Sequence, residues 1–220
     1  MPALSSPAPT SEPRLLLASR SPRRGQLLRE SGFRLEQITP DFQDPADPNQ
    51  AFEKVPDGPD AALYLAQHKT SQLPDALIAQ FPNSTILTSD TVGIAPDGKL
   101  IGTPESREQA LDMLRSLVGQ LHTIATGVCL RLPDGTTESF VDTANVNLGQ
   151  VSEDELLRYI DTDQWVGKAG GYNLQERQAA GWPITVEGDP GTVMGLPMQR
   201  LTPLLTALGI PRHPNPNAAD

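Results

Sequence analysis

The stretch from 15 to 28 constrains the chain most, because an apolar run there passes without a break into the chemistry of a helix start. Residues 14–19 read RLLLAS, a run that suits a strand buried on both faces. Ser21 then stands as an N-cap, Pro22 takes the first helical position and Gly32 follows the far end. The sequence therefore predicts a strand, a tight turn and a helix whose unpaired N–H groups and positive dipole end face the turn. Ser19, Arg20, Ser21, Arg23 and Arg24 crowd that turn. Hydroxyls and guanidiniums at a helix N-terminus are what an oligophosphate needs. A capped surface helix with solvated arginines is the equally weighted alternative.

Further elements follow by pattern. A strand is expected over 33–39, then an acidic, proline-rich loop over 40–59 and a helix over 61–72. A β-branched run over 85–89 ends on Asp90, which places that carboxylate at a strand end. Asp97-Gly98 marks a hairpin turn. Ala110, Leu111, Leu114, Leu117 and Val118 recur at helical spacing, with Gly119 as a stop. Extended stretches over 121–132 and 136–148 flank a Pro-Asp-Gly turn. Ser152 and Glu155 form a capping box for a helix through Asp161. The segment GKAGGYNLQ, 167–175, reads as a loop, and a last helix runs from near Pro197 to Gly209. Helices alternate with strands, but the hairpins exclude a purely parallel arrangement. The expected fold class is α/β, a mixed β-sheet flanked by helices.

Composition narrows the function. The 220 residues suit one domain. Of 22 prolines, four fall within residues 2–13 and three within 211–216, so 1–13 and 210–220 are expected to be disordered and 14–209 to form the domain. The net charge of −10 repels a nucleic-acid backbone, which argues against stable nucleic-acid binding and requires any bound anion to sit on a local basic patch. Such a patch exists: residues 14–40 sum to +4, while residues 41–60 sum to −5. A basic stretch beside an acidic one suits a polyanion that arrives with a divalent cation, although charge runs are more often solvated faces. A single cysteine, Cys129, excludes a disulfide framework. The chain lacks an 18-residue apolar run or a signal-peptide core, so a cytoplasmic protein is expected.

Besides the arginine turn, three places could carry chemistry. Asp90-Thr91 follows an apolar strand, where a carboxylate can hold Mg²⁺ or activate water, or simply turn the chain. The glycine loop carries Lys168, Tyr172 and Gln175, whose amide could read a base edge. Lys69 could offer a point charge to phosphate. His68, His122 and His213 lack metal or triad spacing, and no GxxxxGK[ST] or GxGxxG exists.

LLLASRSPRR followed by GQLL, then LYLAQHK, SDTV, GKAGGYNLQ and VMGLPM, in that order across about 14–209, resembles the Maf family of nucleoside triphosphate pyrophosphatases. The resemblance implies a mixed α/β fold similar to the inosine triphosphate pyrophosphatases, a homodimer, and a divalent cofactor, Mg²⁺ or Mn²⁺. It puts the proton acceptor on Asp90, phosphate contacts on Ser19, Arg23, Arg24 and Lys69, base preference on Arg23, Thr91 and Gln175, and metal ligation on Asp90 with Asp44. Two positions depart from the family. Thr103 stands where relatives usually carry Lys, and Asp44 where they carry Glu. SDTV and the glycine loop look like the branch acting on dTTP and UTP. A nucleotide-sensing protein linked to cell division, without turnover, is the rival expectation.

Overall fold

The computed structural model describes residues 14–43 and 58–213. Asp44, most of the acidic loop, the N-terminal tail and residues 214–220 lie outside the described residues. Among the described residues, seven strands form one mixed sheet. β1 (Arg14–Ala18) lies between β2 (Leu35–Ile38) and β3 (Ser84–Ile94), parallel to both. α1 (Pro22–Glu30) makes the crossover from β1 to β2. On the other side β3 runs antiparallel to β5 (Gln120–Arg131), which pairs with β6 (Thr137–Leu148), and β6 pairs with β7 (Ile184–Glu187). The two-residue β4 (Leu100–Ile101) pairs with the far end of β3 through the Asp97-Gly98 turn, where Gly98 takes φ +84°.

Side chains of β1 alternate between two apolar layers, which explains its unbroken apolar run. Leu15 and Leu17 pack with Leu28 of α1, Phe33, Leu87 and two leucines of α8 (Met198–Ala207), Leu201 and Leu205. Leu16 and Ala18 pack on the opposite face with Leu73 and Ile86. A third cluster joins α4 (Arg107–Leu117) and α5 (Glu153–Ile160) to Val146, Leu148, Trp165 and Trp182. α2 (Gly58–Ser71) packs across β3 and β5. Among the described residues, no helix is long and apolar enough to cross a membrane.

The sheet corrects one expectation that bears on the site. Asp90 does not end a strand, because β3 continues to Ile94. The cause is a change of neighbours: β1 makes its last pair with β3 at Leu17↔Leu87, whereas β5 pairs with β3 through Ile94↔Thr123. Asp90 therefore sits just beyond the end of β1, in a notch of the sheet with a neighbour on one side. Four short elements escape sequence patterning: α3 (Asp75–Gln80), α6 (Leu174–Ala179), β7 and α7 (Pro190–Met194). Each has six residues or fewer, too short a window for periodicity to declare itself. The end of the domain also reaches past Gly209, since Ile210 is buried and Arg212 forms an antiparallel bridge with Phe33.

Candidate active site

The turn after β1 is held from behind. Ser19 Oγ accepts from the backbone N–H of Ser21 at 3.1 Å and from Arg24 Nη1 at 3.3 Å. Gln37 Nε2, on β2, donates to the carbonyls of Ser19 and Ser21 at 2.9 and 3.1 Å. Gly25 makes that clamp possible, because a Cβ there would lie 2.4 Å from Gln37 Oε1. Ser21 occupies the N-cap position as expected, yet its hydroxyl makes no cap hydrogen bond. The first turn of α1 thus keeps free N–H groups and the positive end of its dipole for something else.

Arg23 and Arg24 have different circumstances. Arg24 is mostly engaged by the protein: Nε donates to the Gly195 carbonyl at 3.0 Å, Nη1 to the Ser89 carbonyl at 3.0 Å and Nη2 to Thr91 Oγ1 at 3.2 Å, which leaves one Nη2 proton at the cavity it lines. Burial lowers its pKa from the ordinary value, against a raising influence of Asp90. Arg23 is exposed, and its side chain has no hydrogen-bond or ion-pair partner among the described residues. It projects its charge at the mouth of the cavity described below.

Behind Arg24 the hydroxyls form an ordered chain. Thr126 Oγ1 donates its one proton to the Thr192 carbonyl at 2.7 Å. The 2.8 Å bond between Thr91 and Thr126 hydroxyls must therefore be donated by Thr91. Thr91 accepts from Arg24 and donates inward, which leaves it an acceptor toward the cavity that it lines. Thr192 Oγ1 continues to Asp142 Oδ2 at 2.6 Å.

Asp90 and Lys69 meet in the notch. Lys69 Nζ lies 2.7 Å from Asp90 Oδ2, with the two side chains only 18% and 17% exposed. Asp90 Oδ1 accepts from the Thr91 N–H at 2.7 Å. The helix that carries Lys69 can come this close because Asp90 pairs with Gly127 on β5. A Cβ at Gly127 would sit 2.2 Å from the Ala62 carbonyl oxygen and 2.5 Å from Leu63 N, both on α2. Among the described residues, no group of three or more His, Cys, Asp or Glu side chains gathers into a metal cage. A lone carboxylate with unused lone pairs does fit Mg²⁺, which is commonly held by one or two carboxylates together with substrate phosphates.

A cavity of about 420 Å³ opens beside the turn. Arg23, Arg24 and Ser21 stand at one end, and Leu117, His122, Ile124 and Tyr172 line the rest with the glycine loop. Lys168 on that loop is ion-paired with Glu176 of α6. Gln175 also lines the cavity, with its amide on Met194 Sδ at 2.7 Å. Ser19, Lys69 and Asp90 lie beside the cavity instead of lining it, and Thr103 is exposed and does not line it either. Sequence reasoning missed Gln37, Thr126, Thr192 and Gly127, and it named Tyr172 without pairing it with His122. Isolated glycines inside α1 and β5 were the available signal, since such glycines mark close approach.

His122 is 2% exposed, and its Nε2 lies 2.8 Å from the Tyr172 hydroxyl. Burial lowers its pKa to about 4, opposed by the Gln120 backbone. The unfolded chain binds a proton there below about 6.5, so folded stability from this group is complete above that pH and falls as pH drops toward 4. The expected loss is roughly 3 kcal/mol by the 1.36 kcal/mol per unit rule. Urea titrations between pH 7 and 4 should show it, and His122→Gln should flatten that slope. An unchanged slope would place the acid sensitivity elsewhere.

Residues 14–208 match the family model described as Maf-like protein. A "dTTP/UTP pyrophosphatase" of Lacticaseibacillus casei is 36% identical over 194 residues, covering 88% of this chain and 98% of that protein. One of the same name from Bacteroides thetaiotaomicron is 34% identical, covering 85% and 92%. Among solved structures, a HAM1 protein from Coxiella burnetii aligns at TM-score 0.45 and 13% identity over 88% of this chain and 98% of that one, a likeness too distant to bear on the site.

Proposed function

The chain belongs to the Maf-like protein family, and on that premise we propose that it hydrolyses nucleoside triphosphates, dTTP and UTP foremost, to the monophosphate and pyrophosphate. The observation that carries the reading is the uncapped start of α1 with Arg23 beside it, a guanidinium that has no partner among the described residues, opening into a nucleoside-sized cavity. Free N–H groups and a guanidinium there match the β and γ phosphates. Arg24 shapes this cradle by tying Ser19, Ser89, Thr91 and Gly195 together.

Asp90 lies beside the cradle and accepts the proton of the water that attacks the α-phosphorus. Lys69 holds that carboxylate in place and offers its charge to the phosphates. Departing pyrophosphate leaves with its charge countered by Arg23 and the helix dipole. We assign Asp90, with Asp44 as second candidate, to a Mg²⁺ or Mn²⁺ that enters with the triphosphate. Bound there, the cation neutralises phosphate oxygens.

The test is product identity across a panel of triphosphates with Mg²⁺ or Mn²⁺. Pyrophosphate as the first product from dTTP and UTP, lost in EDTA, is the expected result. Orthophosphate without pyrophosphate would make the chain a phosphatase of the γ position. Tight binding without turnover would make it a nucleotide sensor.

A further inference from the structure

Beyond the phosphate cradle, we propose that the Tyr172 hydroxyl, positioned by His122, contacts the polar edge of the nucleobase and underlies the preference for a pyrimidine carrying a 4-oxygen. This rests on the triphosphate reading above and assigns the base end of the same cavity.

The placement follows from the sheet. Thr126 pairs with Thr91, beside the phosphate turn, and His122 lies four residues back along β5. Four residues of strand span roughly 13 Å, and even spacing keeps His122, Ile124 and Thr126 on one face. That distance is comparable to the reach from the phosphates to the base of a nucleotide. With phosphates at Arg23, the base lies over Ile124 and against Leu117, where the apolar walls accept a flat ring. Gly93, opposite Ile124 on β3, lets Ile101 close in as another apolar wall, since a Cβ there would lie 3.1 Å from Ile101 Cβ.

At this apolar end His122 and Tyr172 bring a hydrogen-bonded polar pair that the chemistry at phosphorus does not use. Both residues line the cavity, and their polar atoms are 2.8 Å apart. Among the described residues, His122 Nδ1 is buried with no partner at hydrogen-bond distance and angle. Burial lowers the pKa of His122 to about 4 and raises that of Tyr172 above its ordinary value, so near neutrality the pair is an imidazole and a phenol. When Nε2–H donates to the phenolic oxygen, the Tyr172 proton is left to donate, and the carbonyl at the 4-position of uracil or thymine is an acceptor of the right kind. Cytosine presents an amino donor there and meets that O–H donor to donor as long as the Nε2–H tautomer of His122 keeps the Tyr172 proton pointed at the base. Discrimination of this sort exploits the cost of an unpaired buried polar group.

Tyr172→Phe removes the oxygen alone. It should lower kcat/KM for UTP about ten-fold, mostly through KM, and leave CTP nearly unchanged, so that the UTP to CTP ratio falls. His122→Gln should shift the same ratio by less. The companion substrate is the triphosphate of 2-pyrimidinone riboside, which lacks the 4-oxygen. The unaltered protein should prefer UTP over it about ten-fold, and Tyr172→Phe should treat the two alike. Equal losses on UTP, CTP and the analogue would show that Tyr172 is merely structural and overturn the assignment. Should the variants fail to fold, equal use of UTP and the analogue by the unaltered protein overturns it as well. Absence of turnover on every triphosphate would instead sink the hydrolase reading, and calorimetric binding of UTP against the analogue would still test the contact.

Discussion

Asp90→Asn is expected to lower kcat by 10²-fold to 10⁴-fold through loss of the proton acceptor alone, and further if the carboxylate also holds the cation. The substitution keeps the shape of the side chain, so an amide oxygen can still accept from the Thr91 N–H that Asp90 Oδ1 accepts at 2.7 Å. What it removes is a negative charge beside the phosphates and the ionic partner of Lys69, now 2.7 Å away. Lys69 then becomes free to meet phosphate, and like-charge repulsion disappears. Affinity for dTTP should hold or improve while turnover collapses. Single-turnover pyrophosphate release with calorimetric Kd separates the two. Near-native kcat would remove Asp90 from the reaction, and a matched loss of kcat and affinity would make it a structural residue.

The contrast between Arg23 and Arg24 shows where sequence stops being informative. Ser21 and Pro22 announce the start of α1, and the apolar run before them announces β1, because both signals are local. That is why the phosphate turn is legible from one stretch of chain. Adjacent arginines look alike in the sequence, however, and only the fold brings Ser89, Thr91 and Gly195 around one of them. Asp90 shows the same boundary. A β-branched run ending in Asp suggests a strand end, but the strand persists through antiparallel pairing with a segment that begins some thirty residues later. The metal reading depends in part on Asp44, which lies outside the described residues. His122 carried no spacing signal at all, since its partner Tyr172 is fifty residues away in sequence.

Gly127→Ala should do as much damage as any change remote from the phosphates. Gly127 is the cross-strand partner of Asp90, and it has no side chain where α2 crosses the sheet. An added Cβ would sit 2.2 Å from the Ala62 carbonyl oxygen, 2.4 Å from Ala62 C and 2.5 Å from Leu63 N. These are backbone atoms of a helix and cannot rotate away, so α2 must retreat by more than about 1 Å to regain ordinary contact distances of 3.5 Å or more between heavy atoms. Overpacking of this kind costs about 1 to 3 kcal/mol and sometimes more, and rigid backbone on the opposing side puts Gly127 at the upper end. The helix transmits the shift to the site. Lys69 stands seven residues beyond Ala62 on α2, about two turns along the same rod, and its 2.7 Å contact with Asp90 does not survive a displacement of that size. Misplacement by 1 Å can cost roughly 10²-fold in rate. The variant should therefore lose stability in urea and, at a denaturant concentration where it remains folded, lose about two orders of magnitude in kcat. Lys69→Met leaves the helix in place while removing the ion pair, and so separates the two effects. If Gly127→Ala is as stable and active as the unaltered protein, α2 does not rest on the sheet at this glycine, and the close approach that delivers Lys69 to Asp90 is wrong.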